Sequence, residues 1–306
     1  MAKNNSKEPF SMNTLGSKRQ VIATLCNVVN YAMSCSNIVG VQELFAGGFC
    51  FSSHFESEYE LKFRTANEID YGVVSFFRCL QDPYKTDLLI EQIQLLADEY
   101  RTKFMFEKAK EERIKPETSQ LRAAALTYIV VEYSLRADRQ NFSQHHADKG
   151  IPHKSLSKLF DVDKTIGDVQ IFCGDYKEQF NKYKDRSDIL IYLDPPYIST
   201  KVTPKKKRRR EDKSETTETS GYVHPFTVDD HEELVKNLLA TKNKFILSGY
   251  LNDIYKHLED KEKGLYRYFL GKVKISTGEF RNEYIWCNFE IKEGILPEAP
   301  SKVDYL

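Results

Sequence analysis

The run Ile189-Leu190-Ile191-Tyr192-Leu193, followed at once by Asp194-Pro195-Pro196-Tyr197, constrains this chain more than any other stretch. A short apolar run without alternation reads as a strand buried on both faces, as in sheets covered by helices on both sides. The two prolines lack an N–H and disfavour helical backbone before them, so the chain must leave the sheet at Asp194. A carboxylate and an aromatic ring are thereby placed on a stiff turn at the carboxyl end of a central strand. Open α/β sheets bind ligands at that edge. The turn suits a planar base with an exocyclic amino group: Asp194 and the Pro195 carbonyl offer two acceptors, and Tyr197 offers a stacking surface. The plainer alternative is a proline-rich strand exit with a capping Asp.

The rest of the chain repeats a strand-and-helix rhythm. Val21, Ile22, Leu25, Val28 and Val29 recur at helical spacing within 18–34. Residues 38–45 read as a strand running into Ala46-Gly47-Gly48, with a helix expected through 49–55. A second strand is predicted over 64–70 and a helix over 73–80. Residues 82–160 are helical in character and interrupt the alternation, which resumes at Val169–Asp175 and the 189–193 run. Downstream come a helix at 228–240, capped by Asp229 or Asp230, and strands near 244–250, 266–273 and 283–289. This order predicts a mostly parallel α/β sheet with a helical insertion. Residues 1–15 read as a loose polar lead-in.

Composition narrows the partners. Lys and Arg total 45, as do Asp and Glu, so no global basic field announces a nucleic acid, though a local basic groove is compatible with this balance. Pro204-Lys205-Lys206-Lys207-Arg208-Arg209-Arg210 is the one strong charge run; it cannot pack in a core, so a disordered basic loop is predicted over about 201–221. Lys206 and Arg208 are candidates for phosphate contact there, and a nuclear localisation patch is the other reading. The six cysteines are scattered without a C-x-x-C pair, which favours reduced thiols over disulfides or zinc, and no metal is expected. No apolar run reaches membrane-spanning length, and the N-terminus lacks a signal-peptide core, so a cytoplasmic protein without a membrane partner is expected.

Asp194-Pro195-Pro196-Tyr197 resembles motif IV of the amino-methyltransferases. Phe45-Ala46-Gly47-Gly48 is similar to their motif I, the loop that approaches the methionine part of S-adenosylmethionine. Glu68, about twenty residues on, stands where an acid accepts hydrogen bonds from ribose hydroxyls, with Asp70 as runner-up. Phe172-Cys173-Gly174-Asp175-Tyr176 resembles motif III, which implies that Asp175 meets the cofactor's adenine amino group and that Tyr176 adjoins it. Lys18 resembles the motif X lysine near the cofactor's carboxylate, and Ser248-Gly249-Tyr250 the motif V turn. In order and spacing, the set resembles the Dam-like (alpha-group) DNA N6-adenine methyltransferases from near Gly16 to near residue 290. One departure stands out: the last glycine of Phe-x-Gly-x-Gly is Phe49, whose side chain must turn away from the cofactor.

The resemblance implies a Rossmann-like class I methyltransferase sheet over 1–75 and 168–306, with a mostly helical target-recognition insertion at 76–167. It implies a site-specific DNA adenine methyltransferase using S-adenosylmethionine, with catalytic Asp194, Pro195, Pro196 and Tyr197 acting on a flipped base in double-stranded DNA. Within the insertion, 133–142 is the preferred reader, with Ser134, Arg136, Arg139 and Asn141 as DNA-contacting candidates. A cognate restriction endonuclease is a possible partner. Other readings are methylation of DNA cytosine N4, RNA adenine or a protein glutamine, or a nucleic-acid-binding module with weak or no catalysis.

Overall fold

In a computed structural model, residues 9–12, 17–198, 226–275 and 278–300 are described. The basic run 204–210 lies outside them, with Lys206 and Arg208. The apolar runs become the strands β1 (Gly40–Glu43), β2 (Phe63–Glu68), β3 (Val169–Cys173), β4 (Ile189–Leu193), β5 (Lys244–Gly249), β6 (Tyr266–Lys274) and β7 (Phe280–Cys287). They form one sheet in the order β3-β2-β1-β4-β5-β7-β6. β3 through β5 are parallel, whereas β7 runs antiparallel to both β5 and β6. This is the mostly parallel α/β sheet, with one antiparallel edge, that the order of strands and helices predicts. Every residue of β4 is buried, as its unalternated sequence requires.

Strand order reverses at β1, which is flanked by β2 on one side and β4 on the other. Gln42 pairs with Ile191 in register, so β1 and β4 end side by side and discharge their loops at one edge. That reversal makes the crevice in which doubly wound sheets hold ligands.

Helix α1 (Ile22–Ser34) lays Leu25, Val28, Val29 and Ala32 against one face of the sheet. Helices α2 (Cys50–His54) and α3 (Tyr71–Leu80) follow β1 and β2. The insertion then runs through α4 (Pro83–Ala97), α5 (Lys103–Glu112), α6 (Gln120–Tyr133), α7 (Gln144–Lys149), α8 (His153–Leu156) and α9 (Asp163–Ile166). Buried from Ala123 to Val131 without a break, α6 forms the axis of this region, as expected of a helix apolar on all sides. It packs so closely on α3 that a Cβ on Gly72 would stand 2.2 Å from Thr127 Oγ1. Position 76 therefore falls inside α3, whose residues share one apolar cluster with those of the insertion. After β3, α10 (Tyr176–Tyr183) and α11 (Val228–Ala240) cover the sheet's other half.

Two local expectations are corrected. Part of the N-terminal lead-in is packed rather than loose: Ser11 and Met12 are buried, and Met12 N–H donates to the Gly48 carbonyl at 3.0 Å. Thr227, not Asp229 or Asp230, caps α11; its hydroxyl accepts from the Asp230 N–H while the Asp230 carboxylate accepts from the Thr227 N–H, a capping box. All six cysteines are unpaired, and among the described residues no helix is long and apolar enough to cross a membrane.

Candidate active site

The loop leaving β1 turns through Gly47, whose φ of +50° is left-handed backbone that glycine adopts without penalty. A Cβ built there would meet no protein atom within 4 Å, so the loop leaves open space beside its backbone. Gly47 N–H donates to Glu68 Oε2 at 2.7 Å, and Asp70 N–H donates to Oε1 at 3.0 Å. Glu68 thus ties the β1 and β2 exits together. Burial, with the Asp70 charge adding to it, raises the Glu68 carboxyl, while Arg139 opposes the rise.

Phe49 also lies in the left-handed region, at φ 56°, one residue before α2. Its ring is fully buried and stacks on Phe77 with centroids 4.0 Å apart. The side chain turns away from the crevice, as the sequence required.

At the exit of β4, Asp194 sits in a ring of donors. Lys18 Nζ lies 2.7 Å from each carboxylate oxygen, Ser248 Oγ donates to Oδ1 at 3.0 Å, and Tyr197 Oη stands 2.9 Å from Oδ1. The Lys18 ammonium, the candidate for the cofactor's carboxylate, lies on Asp194, 4.8 Å from the Tyr197 ring centroid. Tyr197 crosses Tyr250 edge to face at 4.6 Å, and its hydroxyl also hydrogen-bonds to Glu283. Behind the turn, His231 is fully buried with Nδ1 2.8 Å from the Tyr255 hydroxyl; burial pushes its pKa down to about 4, so the ring is neutral.

The glycine loop and the Asp194 corner open into one cavity of about 230 Å³. Lys18, Phe45, Ala46, Gly47, Gly48, Glu68, Asp175, Tyr176, Asp194, Pro195, Pro196 and Tyr197 all line it. Every residue proposed from the sequence for the catalytic turn and the cofactor therefore meets in one space. At its far end Phe45, Tyr176 and Phe226 form an aromatic wall, with Phe45 and Tyr176 centroids 4.8 Å apart. Asp175 caps α10 by accepting from Lys177 N–H and stays exposed at the cavity edge.

Sequence reasoning missed Glu43 and Glu283. Glu43 lines the cavity from β1, accepts from the Ser52 N–H at 3.1 Å, and is pushed up to about 8 by burial, so it is protonated at neutral pH. The available signal was an acid inside a strand that the sequence reads as central, where a buried carboxyl needs a partner. Asp70, the runner-up for the ribose, is turned into the protein: it caps α3 and is held by both Arg113 nitrogens at 2.7 and 2.8 Å and by Arg139 at 3.0 Å. Burial resists its ionisation, but the two guanidinium groups hold its carboxyl well below the usual range.

The reader segment forms a tight loop closed by a bridge between Ser134 and Phe142. Asp138 Oδ1 accepts from the Gln140 and Asn141 N–H groups at 2.8 and 2.9 Å. Ala137 and Arg139 have φ of 53° and 57°, and both line the cavity rim beside the glycine loop. Ser134, a DNA-contacting candidate from the sequence, is buried, its hydroxyl donating to the Val131 carbonyl and accepting from Arg139 N–H. Arg139 is turned inward onto Asp70, whereas Asn141 is exposed. The Arg136 side chain lies outside the described residues.

The model for the D12 class N6 adenine-specific DNA methyltransferases matches residues 15–267 of the chain. No curated protein matches it.

Proposed function

The chain belongs to the D12 class N6 adenine-specific DNA methyltransferase family, and on that premise we propose that it methylates an adenine amino group held at Asp194, with S-adenosylmethionine as donor. One observation carries this reading: a single cavity joins the Gly47 loop to the Asp194–Tyr197 turn. The cofactor fits the residues present. The missing Cβ of Gly47 leaves room for close approach, Glu68 and Asp175 supply acceptors for hydroxyl and amino groups, and Phe45, Tyr176 and Phe226 supply an apolar wall. When bound, S-adenosylmethionine supplies an electrophilic methyl group.

The remaining work falls to the chain. A paired adenine must leave the duplex stack, at a cost of a few kcal/mol. Stacking on Tyr197 offsets about 1–3 kcal/mol of that. Asp194 and the Pro195 carbonyl accept the two amino hydrogens, which turns the nitrogen lone pair out of conjugation. The Asp194 carboxylate stabilises the positive charge that develops on nitrogen, in a site where the partners are already oriented. The partner is double-stranded DNA, and the 134–142 loop, through Arg136 and Asn141, is the proposed reader at the cavity rim.

Calorimetry tests the cofactor assignment. The parent chain is expected to bind S-adenosylmethionine, and Gly47→Ala, whose methyl would enter the cavity, to bind at least ~10-fold more weakly, about 1.4 kcal/mol. Equal affinity for the two proteins would remove the glycine loop from the cofactor site.

A further inference from the structure

Glu283 is a buried acid that this reading leaves unused. It reaches the corner from β7 and is 1% exposed. Its Oε1 hydrogen-bonds with Tyr197 Oη and lies 3.6 Å from Lys18 Nζ. Tyr197 Oη also stands 2.9 Å from Asp194 Oδ1. A phenol carries one hydrogen and cannot donate to two carboxylates. With both acids ionised, one Tyr197 contact would oppose lone pair to lone pair, and Lys18 would face two negative charges in a nearly dry site. A single proton removes both conflicts. On Asp194 it would destroy the acceptor that the proposed chemistry needs. On Glu283 it is donated to Tyr197 Oη, which then gives its own hydrogen to Asp194.

We infer that Glu283 is a positioning residue, held as the neutral acid, whose hydrogen bond to Tyr197 commits the phenol hydrogen to Asp194 Oδ1. The inference rests on the methyltransferase reading above. It divides the labour of the two carboxylate oxygens. Oδ1 is anchored by Tyr197, Ser248 and Lys18, while Oδ2 meets only Lys18 among the described residues and faces an incoming amine. Burial raises the Glu283 carboxyl, and the Asp194 charge adds to the rise against Lys18. The titratable and charged groups facing it are Lys18, Asp194, Tyr192, Tyr197 and Tyr250, with Arg281 over the Tyr250 ring at 5.3 Å. Once Glu283 ionises at higher pH, it takes the Tyr197 hydrogen for itself, and turnover falls.

The test compares kcat, KM for duplex DNA and cofactor affinity of the full chain with Glu283→Gln and Glu283→Ala, from neutral to alkaline pH. Gln has the shape and donor of the neutral acid. It is expected to keep kcat within about threefold and to lose the alkaline decline, while Ala lowers kcat by ~10-fold or more with KM and cofactor affinity little changed. A Gln variant as slow as Ala, unable to fold, or still showing the parent's alkaline decline would overturn the inference, as would an Ala variant with full kcat. A stability cycle of Glu283→Gln and Glu283→Ala, each combined with Tyr197→Phe and read from urea midpoints, needs no turnover. Gln is expected to keep the coupling to Tyr197 that Ala loses; additive effects for both would refute it. An inactive parent with intact coupling would strike the methyltransferase reading alone.

Discussion

At Asp194 three donor side chains converge, and that decides its use. Lys18, Ser248 and Tyr197 converge on a carboxylate whose side chain is 20% exposed, so its oxygens are held in place as acceptors at the cavity wall. Asp194→Ala is expected to lower kcat by roughly 10²–10³-fold or more, the cost of removing a preorganised electrostatic partner, while DNA binding survives. Filter binding beside a methylation assay separates the two, and near-normal turnover would refute the assignment. The turn itself was legible because two prolines after a buried strand leave few alternatives. Glu283 and Lys18 were not legible as partners of Asp194, because 89 and 176 residues of chain (283 − 194 and 194 − 18) separate them from it. Only the pairing of β5 with β7 brings the acid to the corner.

At the scale of the element, the loop between β1 and α2 carries the chain's clearest local conflict. A left-handed residue with a Cβ costs about 1–2 kcal/mol, yet Phe49 holds that conformation. Its buried ring supplies the compensation, since truncating such a ring costs about 3–5 kcal/mol. Phe49→Gly, although it restores the family pattern, is therefore expected to destabilise the protein by about 2 kcal/mol, the difference between those terms. Urea denaturation measures this, and a more stable variant would show that the strain outweighs the packing. The sequence indicated that the side chain turns away, but not what it stacks on, because Phe77 comes from another helix. Helix and strand identities were legible from periodicity. The inward turn of Ser134 and Arg139 was not, since a polar segment looks alike whether its hydrogen bonds go to DNA or to its own loop.

At the scale of the whole molecule, the Asp70 ion pairs join the sheet to the insertion. Asp70 begins α3, Arg113 follows α5, and Arg139 stands in the 133–142 loop. Removing one partner of a buried pair strands the other charge, so Arg113→Met is expected to cost about 3–5 kcal/mol. The folded pKa of Asp70 lies below its unfolded value, so its contribution is present above about pH 4 and is lost as pH falls toward the folded value. Asp70→Asn should remove that part of the acid dependence; an unchanged stability-versus-pH curve would contradict the role. The mostly parallel sheet was legible from the order of strands and helices. The junction was not, because a lone Asp after a strand reads equally as a ribose acceptor or a helix cap.

The central claim is that the cavity between the Gly47 loop and the Asp194 turn is where an adenine amino group is methylated. The most direct measurement incubates the purified chain with duplex DNA and S-adenosylmethionine carrying a labelled methyl group, then separates the nucleosides. Label is expected in N6-methyladenine for the parent chain and none above background for Asp194→Ala. Label in a cytosine derivative, or equal label from both proteins, would contradict it.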